Sequence, residues 1–308
     1  MRSIYKIARV SKQAAHKYFR HEDELSEKLS GLLIEADELK EEHPGCGVEK
    51  MYQTLKPQWL GRDKFITLFM QLGYRVRIQK NYQKTTIPVH SQYKNLIQGL
   101  MVQDRNIVWQ TDITYFRILN RYYYIVFIID VYTKMIIGYK ASDNLRAEAN
   151  MVVLRMALKN NRGDIGRLIH HSDKGSQYIY AQYMDLLNSK GIMISMGDKA
   201  QDNAYAERIN GTIKNEYLKY WEINSLVELQ KKLTKAVNHY NNKRIHNELP
   251  GRQTPLEFNK SLLDLESQRR PTVIIYAEGN YKIKAASSRF DFKPKREPLA
   301  HNCPIEVY

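Results

Sequence analysis

The chain has 308 residues, a net charge of +15 at pH 7 and only two cysteines, Cys46 and Cys303. Two cysteines exclude a disulfide framework and a cysteine-based zinc site. The excess of positive charge indicates a polyanionic partner, most simply nucleic acid, with an acidic membrane surface as the alternative. No lipid anchor, basic amphipathic helix or signal peptide supports a membrane role, so we expect a cytoplasmic protein.

Residues 1–80 have the pattern of a helical module. Ser11 can cap a first, short helix, and apolar residues at helical spacing over 25–39 predict a second one. Two shorter helices are predicted at about 48–55 and 62–72. Small helices joined by tight turns are typical of a helix-turn-helix-like DNA-binding module, although a plain helical packing domain has the same pattern.

The next segment, 81–107, has little periodicity and is predicted to be a linker. Beyond it the pattern changes to strands at 108–116, 122–131 and 134–141, joined by short turns as in an antiparallel meander. Helices and strands then alternate. The predicted elements are a helix at 146–160, a strand at 168–171, a helix at 181–190, a strand at 192–196, a helix from about 203, and a further helix from Ser225 to about Asn241.

This order of elements predicts an α/β fold of the ribonuclease-H-like kind, in which helices flank a mixed five-stranded sheet. The predicted catalytic core spans residues 108–262. Residues 263–308 are predicted to form a short hairpin around 278–280 and a basic, loosely ordered tail.

The helix after the last strand carries two different faces. Asp202 or Asn203 can cap it, and apolar residues keep one stripe at helical spacing. The other stripe is wholly polar and consists of Asn203, Glu207, Asn210 and Lys214. A solvated surface helix has the same pattern. The polar stripe therefore indicates a function only together with the other candidate residues of the chain.

Three carboxylates are candidates for a metal site. Asp112 lies within an apolar strand, where a carboxylate is costly unless it is paired or bound to a metal. Asp173 directly follows the fourth strand, which the predicted sheet places beside the first, and Glu207 lies on the helix next to them. All-oxygen ligands suit Mg²⁺ or Mn²⁺, and two such ions about 3.5–4 Å apart could clamp a phosphodiester.

Each of these residues also has a structural explanation when it is taken alone. Asp112 could be a satisfied buried carboxylate, Asp173 a turn residue and Glu207 a surface residue of a helix. The strand order and the basic charge together favour the metal site. Of the neighbouring histidines, His170 is predicted to pack in the core, and His171 to support the metal ligands or to face DNA.

Four segments resemble bacterial insertion-sequence transposases, in the group related to retroviral integrases whose catalytic protein is encoded in a second reading frame. The segments are Trp109-x-Thr111-Asp112-Ile113-Thr114-Tyr115, His171-Ser172-Asp173-x-Gly175-x-Gln177-Tyr178, Asp202-Asn203-Ala204-x-Ala206-Glu207 with Lys214 and Glu216, and Tyr240-Asn241-Asn242-Lys243-Arg244-Ile245-His246. The resemblance covers about residues 1–260. Thirty-three residues separate Asp173 from Glu207, fewer than is usual in that group.

The resemblance implies a DDE transposase that cleaves DNA and transfers strands with two Mg²⁺ or Mn²⁺ ions per site. It implies that Asp112, Asp173 and Glu207 are the catalytic and metal-binding triad, and it places Lys214 near the DNA ends. A nuclease of the same fold without strand transfer and a catalytically inactive DNA-binding relative remain alternatives. A purely structural or regulatory DNA-binding protein would explain the positive charge, but it would not explain why the carboxylate of Asp112 lies in an apolar strand.

We expect DNA contacts around the triad, and element ends and target DNA as partners. The predicted DNA-binding residues are Lys214, Asn203, Asn210, Arg208, Lys199 and Arg244. Lys214 lies seven positions after Glu207, which is about 10.5 Å along a helix, so Lys214 is expected to hold DNA rather than to tune the metal. The resemblance also implies a homo-oligomer on DNA, an upstream-frame DNA-binding protein or fusion, no membrane partner, and a location at the nucleoid.

Overall fold

A computed structural model describes residues 11–76, 93–161, 163–197 and 200–275. The described helices are α1 (Lys12–Glu42), α2 (Val48–Leu55), α3 (Arg62–Gln71), α4 (Ala147–Asn160), α5 (Ala181–Ser189), α6 (Ala204–Glu216), α7 (Leu226–Asn242) and α8 (Pro255–Ser261). The described strands are β1 (Met101–Val102), β2 (Val108–Ile118), β3 (Arg121–Asp130), β4 (Ile136–Ser142), β5 (Ile169–Ser172), β6 (Met193–Met196) and β7 (Val273–Ile274). Within the described ranges, no helix combines the length and the apolar character needed to span a bilayer.

The centre of the protein is a mixed five-stranded sheet in the order β4-β3-β2-β5-β6. Strands β2, β3 and β4 form an antiparallel meander, and β5 and β6 continue the sheet in parallel with β2. Helices α4 and α5 make the crossovers that parallel neighbours require. The predicted fold is confirmed, including the pairing of the first strand with the fourth, where Gln110 lies opposite His171.

The strand β3 shows how the sequence builds a three-layered core. Its side chains alternate between the two faces of the sheet, as the two-residue period of a strand requires. Val126 and Ile128 pack in the cluster formed with α4 and α5. Ile125, Phe127 and Ile129 pack in the cluster formed with α6 and α7. Because both faces are covered, this strand is the most apolar stretch of the sequence.

The N-terminal helical module begins with one long helix, and the prediction of two separate helices was wrong. α1 is continuous over 31 residues, and its cap is the predicted one, because Ser11 Oγ accepts a hydrogen bond from the Ala14 N–H at 3.1 Å. The polar residues 21–24 separate the two apolar patterns, but they include no glycine or proline that would end a helix.

The third predicted strand begins two residues later than expected, at Ile136. Lys134 instead lies in the preceding turn with a positive φ of 61°. The Asp130 carboxylate holds this turn, since its Oδ1 accepts hydrogen bonds from the backbone N–H and the hydroxyl of Thr133 at 2.8 and 2.9 Å. The first two residues that were predicted to begin the strand therefore belong to the turn.

The described part of the predicted linker packs into the core instead of running freely. Ile97 and Val102 are fully buried in a cluster with Phe258 of α8. Strand β1 pairs with β7 in antiparallel orientation, with Met101 opposite Ile274. The turn of the hairpin predicted around 278–280 lies outside the described residues, and β7 directly precedes it.

The helical module contacts the core at the C-terminal end of α6. The Gly45 N–H donates to the carbonyl oxygen of Glu216 at 2.8 Å. A Cβ on Gly45 would lie 2.4 Å from Glu216 Cα, so this approach requires glycine. Beside it, the His43 ring stacks on the Tyr217 ring with centroids 4.6 Å apart. The end of α6 therefore joins the two parts of the molecule.

Candidate active site

Asp112 lies in the middle of β2, half-buried on the face of the sheet that α6 covers. Its Oδ2 accepts a hydrogen bond of 2.6 Å from the side-chain amide of Asn210, which lies on α6. Burial, with repulsion from Asp173 and a smaller repulsion from Glu207, raises the pKa of Asp112 to about 8. The strand thus holds a carboxylate that resists ionisation until positive charge approaches it.

The other two carboxylates come from different elements. Asp173 is the first residue after β5, where its Oδ1 accepts a hydrogen bond from the Gly175 N–H at 3.1 Å. Glu207 lies in the first turn of α6 with an exposed side chain. Partial burial and repulsion from Asp173 raise the pKa of Glu207. The charge of Asp173 is therefore felt by both of the other carboxylates.

The three carboxylates are neighbours whose charges interact. Across the residues that the structure describes, no group of three or more histidine, cysteine, aspartate or glutamate side chains has the arrangement of a metal site. The roles of Asp112, Asp173 and Glu207 as metal ligands stay a prediction.

Three amide side chains fasten α6 to β2. Gln110 is fully buried, and its side chain contacts the backbone of residues 202, 205 and 206. Asn203 Nδ2 donates to the carbonyl oxygen of Thr111 at 2.8 Å, and Asn210 bonds Asp112. Asn203 occupies the N-cap position without the predicted side-chain cap. Gln110 was not among the predicted site residues, although a glutamine in an apolar strand two residues before Asp112 is a signal for such a role.

The predicted DNA-binding residues divide by their exposure. Asn203 and Asn210 are 2% and 5% exposed, so the protein already surrounds them and little room is left for a DNA contact. Arg208 lies on the surface and pairs with Glu248. Lys214 is half-buried, one turn beyond Asn210. Lys199 lies outside the described residues.

The charge of Asp112 affects the pKa of Lys214. Burial, followed by repulsion from Lys219, lowers its pKa, and attraction to Asp112 partly offsets both effects. Lys214 therefore lies close enough to Asp112 for their charges to interact. Its predicted contact with DNA stays a prediction.

Arg244, another predicted DNA-binding residue, belongs to an ion cluster inside the protein. Its Nε and Nη2 donate to the two carboxylate oxygens of Glu216, both at 2.8 Å. His43 Nε2 lies 2.7 Å from the same carboxylate, and Lys50 Nζ lies 3.4 Å from it. Burial opposes the ionisation of Glu216, but the hydrogen bonds from His43 and Arg244 outweigh it and hold its pKa well below its usual range.

The two histidines of β5 are both buried. His170 Nε2 lies 2.9 Å from the Tyr183 hydroxyl, in keeping with the predicted core position. His171 Nδ1 lies 2.8 Å from Ser195 Oγ, and its side chain is fully covered, so the prediction that it faces DNA was wrong. Burial lowers the pKa of His170 to about 3 and that of His171 to about 4.

Two integrase core domain families match the chain, at residues 103–201 and 190–255. The Shigella sonnei insertion element IS600 uncharacterized 31 kDa protein is 32% identical over 209 residues, which cover 65% of this chain and 75% of that protein. The putative transposase InsK for insertion sequence element IS150 of Escherichia coli K12 is 32% identical over 197 residues, covering 62% and 67%. The Shigella sonnei transposase for insertion sequence element IS629 is 36% identical over 158 residues, covering 50% and 52%.

Among solved structures, the HTLV-2 integrase catalytic core domain in complex with magnesium is similar with 17% identity and a TM-score of 0.39. The match covers 50% of this chain and 97% of that one. The sheet order, the helix α6 and the matching families define an integrase-type catalytic core.

The chain belongs to the family of bacterial insertion-sequence transposases that contain this core. It is accordingly a DDE-type polynucleotidyl transferase, an enzyme class that cleaves DNA, transfers strands and generally depends on divalent metal ions. The family predicted from the sequence motifs is confirmed.

Proposed function

We propose that this chain cleaves DNA at the ends of a mobile element and joins those ends to target DNA, using one site made of Asp112, Asp173 and Glu207. The observation that supports this site most directly is the placement of three carboxylates: Asp112 on β2, Asp173 directly after the neighbouring strand β5, and Glu207 on α6, which Asn210 ties to Asp112. These carboxylates repel one another there. Residues that only stabilise the fold gain nothing from such repulsion, whereas catalytic sites commonly contain it.

The donor set fits hard divalent cations. All three candidate ligands are carboxylates, which favour Mg²⁺ or Mn²⁺. Burial first, and repulsion among the carboxylates second, raise the pKa values of Asp112 and Glu207, and bound cations would offset both effects. Two bound ions would supply Lewis-acid activation of the attacking oxygen and charge stabilisation of the leaving oxygen.

The chain contributes position and charge to this chemistry. Asn210 orients Asp112, and the Gly175 N–H orients Asp173. The same site can serve two nucleophiles in turn. In cleavage, a water oxygen bonds to phosphorus as the bond to the 3′-oxygen breaks, leaving a 3′-hydroxyl. In joining, that hydroxyl attacks a target phosphodiester and displaces its 3′-oxygen. No covalent bond between protein and DNA is needed.

The partners follow from the reaction and the charge. A net charge of +15 fits DNA that is bound both as element ends and as target. Joining the two ends of one element calls for two copies of the site, which favours a homo-oligomer on DNA. We also expect assistance from an upstream-frame DNA-binding protein or fusion, and a location at the nucleoid of the cytoplasm.

The test of the proposed function is a joining assay with a labelled element end, supercoiled target DNA and Mg²⁺. We expect joined products with Mg²⁺ or Mn²⁺ and none after chelation with EDTA. A ribonuclease-H-like nuclease would release cut ends without joining them, and an inactive relative would bind the ends without cutting them. Either outcome, obtained with ends taken from the native flanking repeats, would overturn strand transfer as the function.

Lys214 gives a second expected result. Lys214→Ala should weaken the binding of element ends by at least about tenfold, because a charge-assisted phosphate contact contributes roughly 1.5–3 kcal/mol. The Mg²⁺ concentration at half-maximal cleavage should stay unchanged. Fluorescence anisotropy measures the affinity, and a metal titration of cleavage measures the requirement.

The matched control for this variant is Lys159→Ala, since Lys159 is exposed at the end of α4 on the opposite face of the sheet. Its loss should change neither quantity. Normal end affinity in Lys214→Ala would remove this lysine from the DNA contact. An altered Mg²⁺ requirement would show instead that Lys214 affects metal binding through its electrostatic attraction to Asp112.

A further inference from the structure

The helix that carries Glu207 begins without a cap of its own. Asn203 stands at the N-cap position, but its side chain accepts no capping hydrogen bond. The first N–H groups of a helix have no partner within the helix and need acceptors from elsewhere. Glu207 lies in this first turn, so its position depends on whatever satisfies these groups.

The missing cap is supplied by Gln110 from the neighbouring strand. Gln110 Oε1 accepts hydrogen bonds from the N–H groups of Tyr205 and Ala206, at 3.1 and 3.2 Å. Its Nε2 donates to the carbonyl oxygen of Asp202 at 3.1 Å. The side chain is completely buried, so water does not compete for these bonds. One side chain therefore holds the backbone just before the helix and the second and third N–H groups of the helix.

The contact also sets the register between the two elements that carry proposed ligands. Gln110 and Asp112 lie two residues apart on one face of β2. Beyond the Gln110 cap, Asn210 reaches back from α6 to Asp112 at 2.6 Å. Glu207 lies between these two attachments along α6. A shift of the helix start would therefore move Glu207 relative to Asp112.

We propose that Gln110 is a positioning residue of the transposase, which fixes Glu207 against Asp112 by capping α6 from β2. The inference rests on the proposed function, because the role of Glu207 belongs to it. Groups that orient metal ligands typically change metal affinity or activity by about 10–100-fold when they are lost. A ligand held on a fraying helix turn loses its preorganised position, and displacements of about 1 Å are costly in catalysis.

The test compares the wild-type chain with Gln110→Met, which keeps most of the side-chain volume and removes all three hydrogen bonds. We expect faster hydrogen exchange at the amides of Tyr205 and Ala206. Mn²⁺ binding, measured by calorimetry without DNA, should weaken about 10–100-fold, and joining should slow by a similar factor. Exchange and Mn²⁺ affinity are read without any activity assay.

Asn241→Leu is the matched control. Asn241 is also a buried amide side chain that bonds to backbone groups. It donates to the Ile136 carbonyl oxygen at 2.9 Å and accepts from the Ile136 N–H at 3.0 Å. It ties α7 to β4, away from the carboxylates. Its loss should lower the melting temperature and leave Mn²⁺ affinity unchanged, which separates positioning from general stability.

Gln110→Glu is the conservative rescue. Its carboxylate can accept from the same two N–H groups, and a negative charge is favourable at a helix N-terminus. We expect exchange of Tyr205 and Ala206 to stay slow in this variant, and this expectation tests the cap even if Gln110→Met does not fold. Fast exchange in Gln110→Glu, or wild-type Mn²⁺ affinity in Gln110→Met, would overturn the positioning role. Retained joining in Glu207→Gln would instead overturn the proposed function.

Discussion

Asp112→Asn, Asp173→Asn and Glu207→Gln are each expected to reduce cleavage and joining by at least about a thousandfold. Bound metals contribute several kcal/mol of transition-state stabilisation, and about 4 kcal/mol corresponds to a factor of roughly 10³. An amide nearly matches a carboxylate in shape but carries no charge to hold the cation. Gel assays with a labelled element end in Mg²⁺ measure both reactions.

Asp112→Asn should also change stability, in the opposite direction to activity. Because burial and repulsion raise the pKa of Asp112 to about 8, its ionised form is unfavourable in the folded chain without metal. This cost is absent below the pKa of the unfolded aspartate and grows as the pH rises toward 8. The neutral amide can still accept from Asn210. In EDTA at pH 7–8, Asp112→Asn should therefore melt at a higher temperature than the wild-type chain.

Asp143→Asn serves as the control for the triad variants. Asp143 is exposed after β4 and pairs with Arg121 at 3.5 Å, so its loss should leave both reactions unchanged. Joining at near wild-type rate by any triad variant would remove that residue from the site. A higher melting temperature for Asp112→Asn together with normal joining would mean that Asp112 is only a strained structural carboxylate.

The sequence predicted the catalytic core well because its signals are local. Asp112 stands out in an apolar strand, and the strand order follows from short turns and alternating helices. The meander and the first and fourth strands pair as predicted. These features depend on neighbours in the chain, which periodicity and turn residues report directly.

The contacts that hold the site were beyond prediction because they join distant parts of the chain. The polar stripe of α6 was interpreted as a DNA-facing surface, but β2 covers Asn203 and Asn210. A helical stripe shows that a face is polar, not what covers it. The ion pair of Arg244 was missed for the same reason, since its partner Glu216 lies 28 residues away in sequence. Its predicted contact with DNA stays a prediction.

Arg244→Met is expected to lower the free energy of unfolding by about 3 kcal/mol. Removing one partner of a buried ion pair typically costs roughly 3–5 kcal/mol, and His43 and Lys50 still face Glu216, which places the loss at the lower end. Arg244→Lys should lose less stability, but it cannot reproduce the two parallel hydrogen bonds of the guanidinium. Urea unfolding at pH 7 measures these differences.

The pH dependence of this loss follows from Glu216. Its pKa is lowered on folding, so its stabilising contribution is present above the pKa of the unfolded glutamate and fades as the pH falls below about 4.3. The difference between wild type and Arg244→Met should therefore shrink in acid. It should stay nearly constant between pH 6 and 8.

The double variant Arg244→Met with Glu216→Gln distinguishes an ion cluster from a DNA contact. If Arg244 mainly neutralises Glu216, removing both charges costs less than the sum of the two single losses, because no carboxylate is left without its main partner. End affinity measured at a temperature where every variant is folded should then change little. Additive losses of stability, or wild-type stability with weakened end binding in Arg244→Met, would return Arg244 to the DNA interface. A smaller loss in the double variant than the sum of the single losses would instead assign Arg244 to the contact between the helical module and the core. That contact lies at the end of α6, where the Gly45 N–H, His43 and Lys50 all contact Glu216.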